Sequence, residues 1–339
     1  MRPNVPFALL LPGLLAGVSS FPSSLSGQEA HLLIVAGLGG EPHYQESFVE
    51  WGERMVESAL AAGVAPERVT FLAEDPEASP ERIEARSTRE EVEAALRRIE
   101  ERSAPDDRVL LLLIGHGSGS GGESLVNLPG PSLQATDYSA LLDNLAPRQI
   151  AIVNTASASG DFIPVLAGEG RIVITATRSS QQRNATIFGQ YFVEAFSTEG
   201  ADFDRDGRIS LLEAFEYARI ETERHFRERN LLPSETALLE DRPDGRGISD
   251  PGGEGEVGLL ASRFFLGVET DLPDSPEPGD DSPLAELLEA QERLEADVRE
   301  LSRRADTLEP GEYRERMESL LVELARIGQE IRRLREDPE

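Results

Sequence analysis

Short apolar runs, each long enough for one buried strand, alternate along this chain with segments of helical periodicity. The strongest run is RVLLLLI at residues 108–114, and HLLIVA, QIAIVN and RIVIT are of the same kind. A strand that is apolar at every position is buried on both faces, as in a parallel sheet covered by helices. The alternation therefore predicts an α/β fold with a mainly parallel sheet and helices on both faces. Ligands of such sheets bind at the carboxyl ends of the strands.

The predicted elements occupy residues 28–266, which we interpret as one α/β domain. The predicted strands are His31–Ala36, Arg68–Leu72, Arg108–Ile114, Gln149–Asn154 and Arg171–Thr175. The predicted helices are Tyr44–Ala62, a helix from a capping box at Ser87–Glu90 to about Arg102, Asp137–Leu145, Asn184–Ser197 and Ser210–Arg229.

The charge balance excludes several classes of partner. The chain has 63 acidic and 33 basic residues, a formal net charge of -30, and every basic residue is arginine. A nucleic-acid binder needs clustered basic residues for the phosphates, and so does a protein that docks on anionic lipid. Divalent cations are the more natural partners of this chain. Cysteine is absent, which excludes disulfides, thiolate zinc sites and a cysteine nucleophile.

The first 27 residues have the pattern of a secretory signal. Arg2 precedes an apolar run from Val5 to Val18, and small and polar residues follow it. We predict that residues 1–27 are removed, that the protein is exported to the periplasm or secreted, and that no stable membrane span remains after processing. A buried helix or a membrane anchor is the alternative interpretation, although Pro12 interrupts the run.

Composition changes after Leu266. Residues 267–282 are acidic and proline-rich with no apolar period, and we interpret them as a linker. Residues 283–337 carry two amphipathic stripes separated by Pro310-Gly311, which predicts an antiparallel helical hairpin or coiled coil. The two helices either pair only with each other or form a surface for a partner or for self-association.

Two of the predicted strands end in residues that could carry chemistry. The run LLLLI leads into Gly115-His116-Gly117, and QIAIVN leads into a segment that contains Ser157. A histidine flanked by glycines at a strand end is expected to be exposed and free to meet a substrate. The backbone N–H of Gly117 could approach a carbonyl oxygen and act as an oxyanion donor. We expect the other histidines, His31, His43 and His225, to be incidental or solvated.

This pair of strand ends resembles the caspase- and legumain-type peptidases. In those peptidases a strand ending in His-Gly supplies the catalytic histidine, and the next strand ends in an Ala-Cys-x-Ser-Gly-like run that supplies the nucleophile. Residues 156–160, Ala-Ser-Ala-Ser-Gly, fit that run with Ser157 in the nucleophile position, about 40 residues after His116. The resemblance spans roughly residues 30–239. The strings GLGGEPHY, NLPGP, ITATR and DGRISLLEAFEYA are similar to exported bacterial relatives of legumain-type peptidases, a group with no established function.

The chain departs from that pattern at the nucleophile. A thiol ionises near neutral pH, whereas a hydroxyl needs a well-placed base. With Ser157 in place of the cysteine, we expect a peptidase homologue that does not turn over substrate. A serine peptidase or acyl hydrolase that uses Ser157 and His116 is the alternative, although the GxSxG motif of one large hydrolase class is absent.

An acidic segment at residues 202–213 matches the EF-hand-type calcium loop. Carboxylates fall at positions 1, 3, 5 and 12, glycine falls at position 6 and isoleucine at position 8. The predicted Ca²⁺ ligands are Asp202, Asp204, Asp206, the backbone carbonyl of Arg208, a water held by Ser210, and Glu213. Residues 197–201 intervene before the loop, so we do not expect a complete helix-loop-helix hand. The alternative interpretation of the segment is an acidic turn with a helix N-cap at Asp206 or Ser210.

Three functions remain open from the sequence. The first is an exported, catalytically silent peptidase-like domain that binds Ca²⁺ and a protein or peptide partner. The second is an active hydrolase that uses Ser157 and His116. The third is a calcium-stabilised scaffold that acts through its C-terminal hairpin.

Overall fold

The computed structural model describes residues 28–120, 123–251, 257–267 and 310–336, together with single residues between 283 and 301. The predicted signal at 1–27, nearly all of the linker and most of the first hairpin helix lie outside the described residues. Within the part of the chain that is described, no helix has the length and apolar character needed to cross a membrane.

The core of the domain is a sheet of seven strands, which are β1 Ala30–Ala36, β2 Val69–Ala73, β3 Ala85–Arg86, β4 Arg108–Ile114, β8 Gln149–Asn154, β9 Arg171–Thr175 and β10 Leu238–Glu240. Their order across the sheet is β10-β9-β8-β4-β1-β2-β3. All neighbouring pairs are parallel except β10 with β9, which is antiparallel. The predicted α/β fold with a mainly parallel sheet is therefore confirmed. A small antiparallel sheet contains β5 Gly117–Ser120, β6 Glu123–Val126 and β7 Leu133–Gln134.

Helices cover both faces of the large sheet, as the apolar strands require. They are α1 Pro42–Ala61, α2 Arg89–Arg102, α3 Ala135–Leu142, α4 Ile163–Leu166, α5 Phe188–Ala195, α6 Leu211–Glu228 and, near the C-terminus, α7 Pro310–Glu336. Side chains of α1, α5 and α6 form one apolar core with alternate strand residues. Side chains of α2, α3 and α4 form the second core on the opposite face. Every residue of β4 is buried, because β4 lies in the middle of the sheet.

The second predicted hairpin helix is present as α7. Leu324, Ile327 and Ile331, which belong to its predicted apolar stripe, are buried. Val322, which is outside that stripe, is 65% exposed. The helix is therefore amphipathic, as the spacing of its apolar residues indicates.

Several local predictions need correction. The cap of α2 is Thr88, whose hydroxyl accepts from the Glu91 N–H, whereas Ser87 donates to the backbone carbonyl of Ala36. The helix predicted from 184 to 197 is limited to Phe188–Ala195. The sequence analysis also missed β10 and the small sheet, because β10 is a three-residue edge strand and β5 is made of glycine and serine.

Two histidines expected to be incidental or solvated have defined partners. His31 is 3% exposed, and its Nε2 atom lies 3.2 Å from Asp107 Oδ2 and 2.7 Å from Arg68 Nη1. Burial lowers the pKa of His31, although the hydrogen bond to the Asp107 carboxylate opposes this shift. His225 is half-buried, and its Nδ1 atom lies 3.1 Å from the hydroxyl of Tyr191.

One acidic side chain is buried at the edge of the sheet. Glu240 of β10 is fully buried; its Oε1 atom accepts from the Arg242 N–H at 2.9 Å. Its Oε2 atom has no hydrogen-bond partner among the described residues. Burial raises the pKa of Glu240 to about 7, with the nearby Asp244 adding to the shift. A carboxyl group whose pKa is raised on folding stabilises the protein below its unfolded pKa and loses that contribution as the pH rises through its folded pKa.

We therefore predict that Glu240→Gln reduces the loss of stability between pH 4.5 and 7. The variant should gain free energy of unfolding relative to the wild type as the pH increases, because the amide carries no charge that must be buried. Urea unfolding at pH 5 and pH 8 measures the difference, with exposed Glu123→Gln of β6 as the control. An equal difference between variant and wild type at the two pH values would contradict the prediction.

Candidate functional site

The parallel pairing of β4 with β8 places the two predicted catalytic residues at adjacent strand ends. Leu113 of β4 is level with Asn154 of β8, so His116 and Ser157 each follow their strand by a few residues at the carboxyl edge of the sheet. This is the edge at which α/β sheets bind ligands. The structure thus brings together the two strand ends that the sequence analysis singled out.

The His116 side chain lies against the loop that follows β1 and against α1. The rings of Tyr44 and Phe48 meet the imidazole edge-on, with centroid distances of 4.6 and 5.2 Å. The backbone of Gly39 also lies close enough to the imidazole to raise its pKa. The Gly39 N–H in turn donates to Glu74 Oε2 at 3.0 Å. His116 is therefore half-buried, which corrects the expectation of a fully exposed imidazole.

Burial lowers the pKa of His116 below its ordinary value, and the electrostatic interaction with His43 adds to this shift. The nearby Gly39 backbone and the charge of Glu41 oppose the shift. The imidazole is thus neutral at pH 7, the form that a general base requires.

The Ser157 hydroxyl is hydrogen-bonded to the backbone of Gly117. Ser157 is 2% exposed; its Oγ atom accepts from the Gly117 N–H at 3.1 Å and lies 3.2 Å from the Gly117 carbonyl oxygen, to which it donates. The N–H predicted to be an oxyanion donor therefore points at the residue predicted to be the nucleophile. Within the described residues, no hydrogen bond joins His116 to Ser157.

A close backbone contact explains why residue 117 is glycine. A Cβ atom at this position would lie 2.1 Å from the Ser157 carbonyl oxygen and 3.0 Å from that of Leu125. Any side chain would push β5 away from the end of β8. On the other side of the site, Ala158 has a positive φ of 55°, and its N–H donates to the carbonyl of Gln182. The segment that follows β8 is thus fixed on one side by the hydrogen bonds of the Ser157 hydroxyl to Gly117 and on the other by the backbone bond of Ala158 to Gln182.

The sequence analysis did not identify the residues that surround His116. Tyr44, Phe48, Gly39 and Glu74 lie 42 or more positions before His116, and no local pattern connects them to it. The string GLGGEPHY, which contains Gly39 and Tyr44, was the one available signal. Its role in orienting the imidazole is evident from the fold alone.

The predicted calcium loop brings three carboxylates together. Ligand-capable oxygens of Asp202, Asp204 and Asp206 all lie within 4.8 Å of one another. The loop is held by short internal bonds: the Gly207 N–H donates to Asp202 Oδ2, and the Asp206 N–H donates to Asp204 Oδ1. Gly207 has a φ of 85°, which the sharp turn at position 6 requires. Asp202 Oδ1 is buried and has no hydrogen-bond partner among the described residues.

Glu213, the predicted ligand at position 12, has other partners. Its Oε2 atom accepts from the N–H and hydroxyl of Ser210 at 2.9 and 2.8 Å, and its Oε1 atom accepts from the Phe203 N–H at 2.9 Å. Ser210 accepts in return from the Glu213 N–H, which completes a capping box at the start of α6. Burial raises the pKa of Glu213, and the bonds from Ser210 oppose that shift. The three aspartates lie close together, whereas Glu213 is engaged in the helix cap.

The end of the loop is attached to the last segment of the domain. Ser210 forms an antiparallel bridge with Phe265, and the Leu211 N–H donates to the Phe264 carbonyl. The guanidinium of Arg208 lies over the ring of Phe265 at 3.9 Å. Position 9 of the loop therefore pairs with the chain just before the predicted linker.

The family comparison identifies the region that contains this site. Residues 89–235 match the model of the Peptidase C13 family, and these residues include His116, Ser157 and the acidic loop. The match covers less than half of the 339 residues. The chain therefore contains a domain similar to the Peptidase C13 family, which bears out the resemblance to peptidases at this level. No match is found among curated proteins.

Two solved structures resemble the chain distantly. One is protein GSU0716 from Geobacter sulfurreducens, with 13% identity, a TM-score of 0.43, and coverage of 71% of this chain and 99% of its own. The other is the Drosophila initiator caspase Dronc, with 10% identity, a TM-score of 0.39, and coverage of 77% and 99%. At such low scores these likenesses add nothing to the topology described above.

The geometry predicts that Ser157 stabilises the domain. Ser157→Ala removes a buried group that serves both the N–H and the carbonyl of Gly117, and we expect the free energy of unfolding to fall by about 1–3 kcal/mol. Denaturant unfolding at neutral pH measures the change. Ser118→Ala is the control: that hydroxyl is exposed and bonds to Asn127, so its loss should cost less than about 0.5 kcal/mol. Equal effects of the two substitutions would refute the structural role of Ser157.

Proposed function

We propose that this chain is an exported peptidase-like domain that does not cleave peptides, binds Ca²⁺ at its acidic loop, and acts through a protein or peptide partner. The observation that carries the proposal is the state of Ser157. Its hydroxyl is buried and bonded to both backbone groups of Gly117. The similarity to the Peptidase C13 family supports the peptidase-like fold of the proposal.

A nucleophilic serine needs a base that removes its proton as the bond to the substrate forms. His116 has the neutral imidazole for that role, but its partners are Gly39, Tyr44 and Phe48. The Gly117 N–H would have to leave Ser157 before it could stabilise an oxyanion. The predicted nucleophile and the predicted oxyanion donor are therefore hydrogen-bonded to each other, which supports a site that does not turn over substrate.

We predict that the wild-type protein shows no peptidase activity and that Ser157→Cys restores some. A thiol ionises more readily than a hydroxyl and is a weaker hydrogen-bond partner, so the Gly117 N–H becomes available as an oxyanion donor. A peptide-library cleavage assay with calcium present compares wild type, Ser157→Cys and Ser157→Cys combined with His116→Ala, in which the restored activity should disappear.

Two results would contradict the silent-site proposal or its chemistry. Wild-type turnover that is abolished by Ser157→Ala would establish the alternative, a serine hydrolase. Activity of Ser157→Cys that persists without His116 would show that the dyad geometry is not responsible.

Calcium binding is supported by the loop itself. Three aspartate oxygens converge within 4.8 Å, and Asp202 Oδ1 is buried without a partner among the described residues. Hard carboxylate oxygens in a cluster suit Ca²⁺, which takes six to eight oxygen ligands. The Arg208 carbonyl and a water on Ser210 would complete the proposed set, and Glu213 would have to exchange its cap bonds for the ion.

We predict that Ca²⁺ stabilises the folded protein. Single sites outside the cytosol bind with dissociation constants of about 10⁻⁴–10⁻³ M, so 10 mM Ca²⁺ should raise Tm by roughly 3–10 °C relative to chelator. Asp202→Asn should abolish the shift, because the amide keeps an acceptor for the Gly207 N–H but removes the charge.

Asp244→Asn is the matched control for that measurement. Asp244 is an exposed aspartate that accepts from the Arg246 N–H in a comparable turn, and its substitution should leave the calcium shift unchanged. The absence of a shift in the wild type, or an equal shift in Asp202→Asn, would be evidence against the site.

Export and partner binding rest on the sequence. The apolar run after Arg2 supports a periplasmic or secreted protein, and its residues lie outside the described part of the chain. The buried stripe of α7 supports a helix that packs against another, either its hairpin partner or a second copy. The net charge of -30 supports a partner that is not a nucleic acid.

A further inference from the structure

A cavity of about 620 Å³ lies apart from His116 and Ser157 and from the acidic loop. It is bounded by the C-terminal half of α6, the start of α5, the segment 231–237 that leads into β10, and residues 249–250. Its volume falls in the range of about 300–1,000 Å³ that is typical of small-molecule sites. It shares no residue with the proposed calcium loop or with His116 and Ser157.

One wall of the cavity is apolar. The rings of Phe188 and Phe226 are buried and line it, together with Ala237, Leu231 and Pro233. Leu231 is 53% exposed at this wall. Two aromatic rings and aliphatic side chains on one wall accommodate an apolar body, most readily a planar or branched one.

The acidic groups of the cavity are already paired. Glu223 and Asp250 both bind the terminal nitrogens of Arg219, at 3.3 and 3.7 Å. Glu235 accepts from the N–H groups of Ile187 and Phe188 at 2.9 and 3.2 Å, and so caps the start of α5. None of these three carboxylates is therefore left to attract a cation.

Among the described residues, the groups of α6 that line the cavity and have no partner can donate hydrogen bonds. Arg219 Nε is buried and has no acceptor among the described residues. The hydroxyl of Thr222, a residue that is 7% exposed, has no partner there either. Arg227 lines the mouth of the cavity, is exposed, and forms no ion pair with any described residue. Arg219 and Thr222 are three positions apart and are therefore neighbours on the helix surface, and Arg227 lines the same cavity further along α6.

From the apolar wall and the unpartnered donors we propose that the cavity binds a small carboxylate with an aromatic or branched apolar body. The apolar body would lie against Phe188 and Phe226. The carboxylate would accept hydrogen bonds from the Thr222 hydroxyl and Arg219 Nε and pair with Arg227. The unpartnered donors favour this occupant, because Arg219 Nε and the Thr222 hydroxyl can donate to a carboxylate and Arg227 carries a positive charge at the mouth of the cavity.

The test uses the full chain and 3-phenylpropanoate as the probe, with 3-phenylpropanamide as its neutral counterpart. For an 11-atom ligand we expect a dissociation constant of about 1–10 mM, measured by ligand-observed NMR titration. The amide should bind at least about tenfold more weakly, because it lacks the charge. Arg227→Gln and Thr222→Val should each weaken binding of the carboxylate by about tenfold.

Arg224→Gln is the matched control. Arg224 is on the same helix and pairs with Glu221 and Glu228, but it does not line the cavity. Its substitution should leave the affinity unchanged. Equal binding of the acid and the amide, or equal effects of Arg224→Gln and Arg227→Gln, would overturn the proposal, as would a cavity that holds only water and gives no binding at 20 mM probe.

Replacement of the acidic residues of the linker by serine provides a second discriminating measurement. An unchanged affinity supports a free small-molecule site. A higher affinity in that variant would show that the linker of this chain occupies the cavity, and would overturn the assignment to a small carboxylate.

Discussion

The contact between Gly117 and Ser157 determines what the strand ends can do. Parallel pairing of β4 with β8 brings the two segments level, and the absence of a side chain at Gly117 lets the backbones approach. The Ser157 hydroxyl then bonds to both polar groups of Gly117. The same two bonds that fix the edge of the sheet also occupy the predicted oxyanion donor, Gly117, and the predicted nucleophile, Ser157. Stability and catalysis therefore compete for one pair of residues.

The sequence predicts the fold well wherever burial dictates residue type. The central strands are apolar at every position because helices cover both faces, and this pattern cannot be mistaken for a surface segment. β10 escaped prediction because an edge strand of three residues that ends in Glu240 has no such pattern. The start of α5 was also misplaced, since Thr186 donates to the Thr155 carbonyl and the Ile187 N–H is used by Glu235, so tertiary bonds end the loop there.

The site was predictable in its positions and not in its orientations. His116 and Ser157 follow from two strand ends, and Asp202, Asp204 and Asp206 from a fixed spacing. The direction of the His116 ring depends on Tyr44 and Phe48, which are remote in sequence. His31 was misjudged for the same reason, because Asp107 and Arg68 reach it only in the folded sheet. Spacing identifies which residues meet, but packing decides which atoms face each other.

The partners of Glu213 set a limit on the proposed calcium site. Its carboxylate already satisfies N–H groups of Phe203 and Ser210, so the loop and the start of α6 are organised by hydrogen bonds among their own residues. Coordination by Glu213 would require those bonds to be given up, and each is worth about 1.5–3 kcal/mol when one partner is charged. That exchange lowers the net affinity for the ion. A weak site of this kind would be filled only where calcium is millimolar, which is the condition outside the cytosol and agrees with the proposed export.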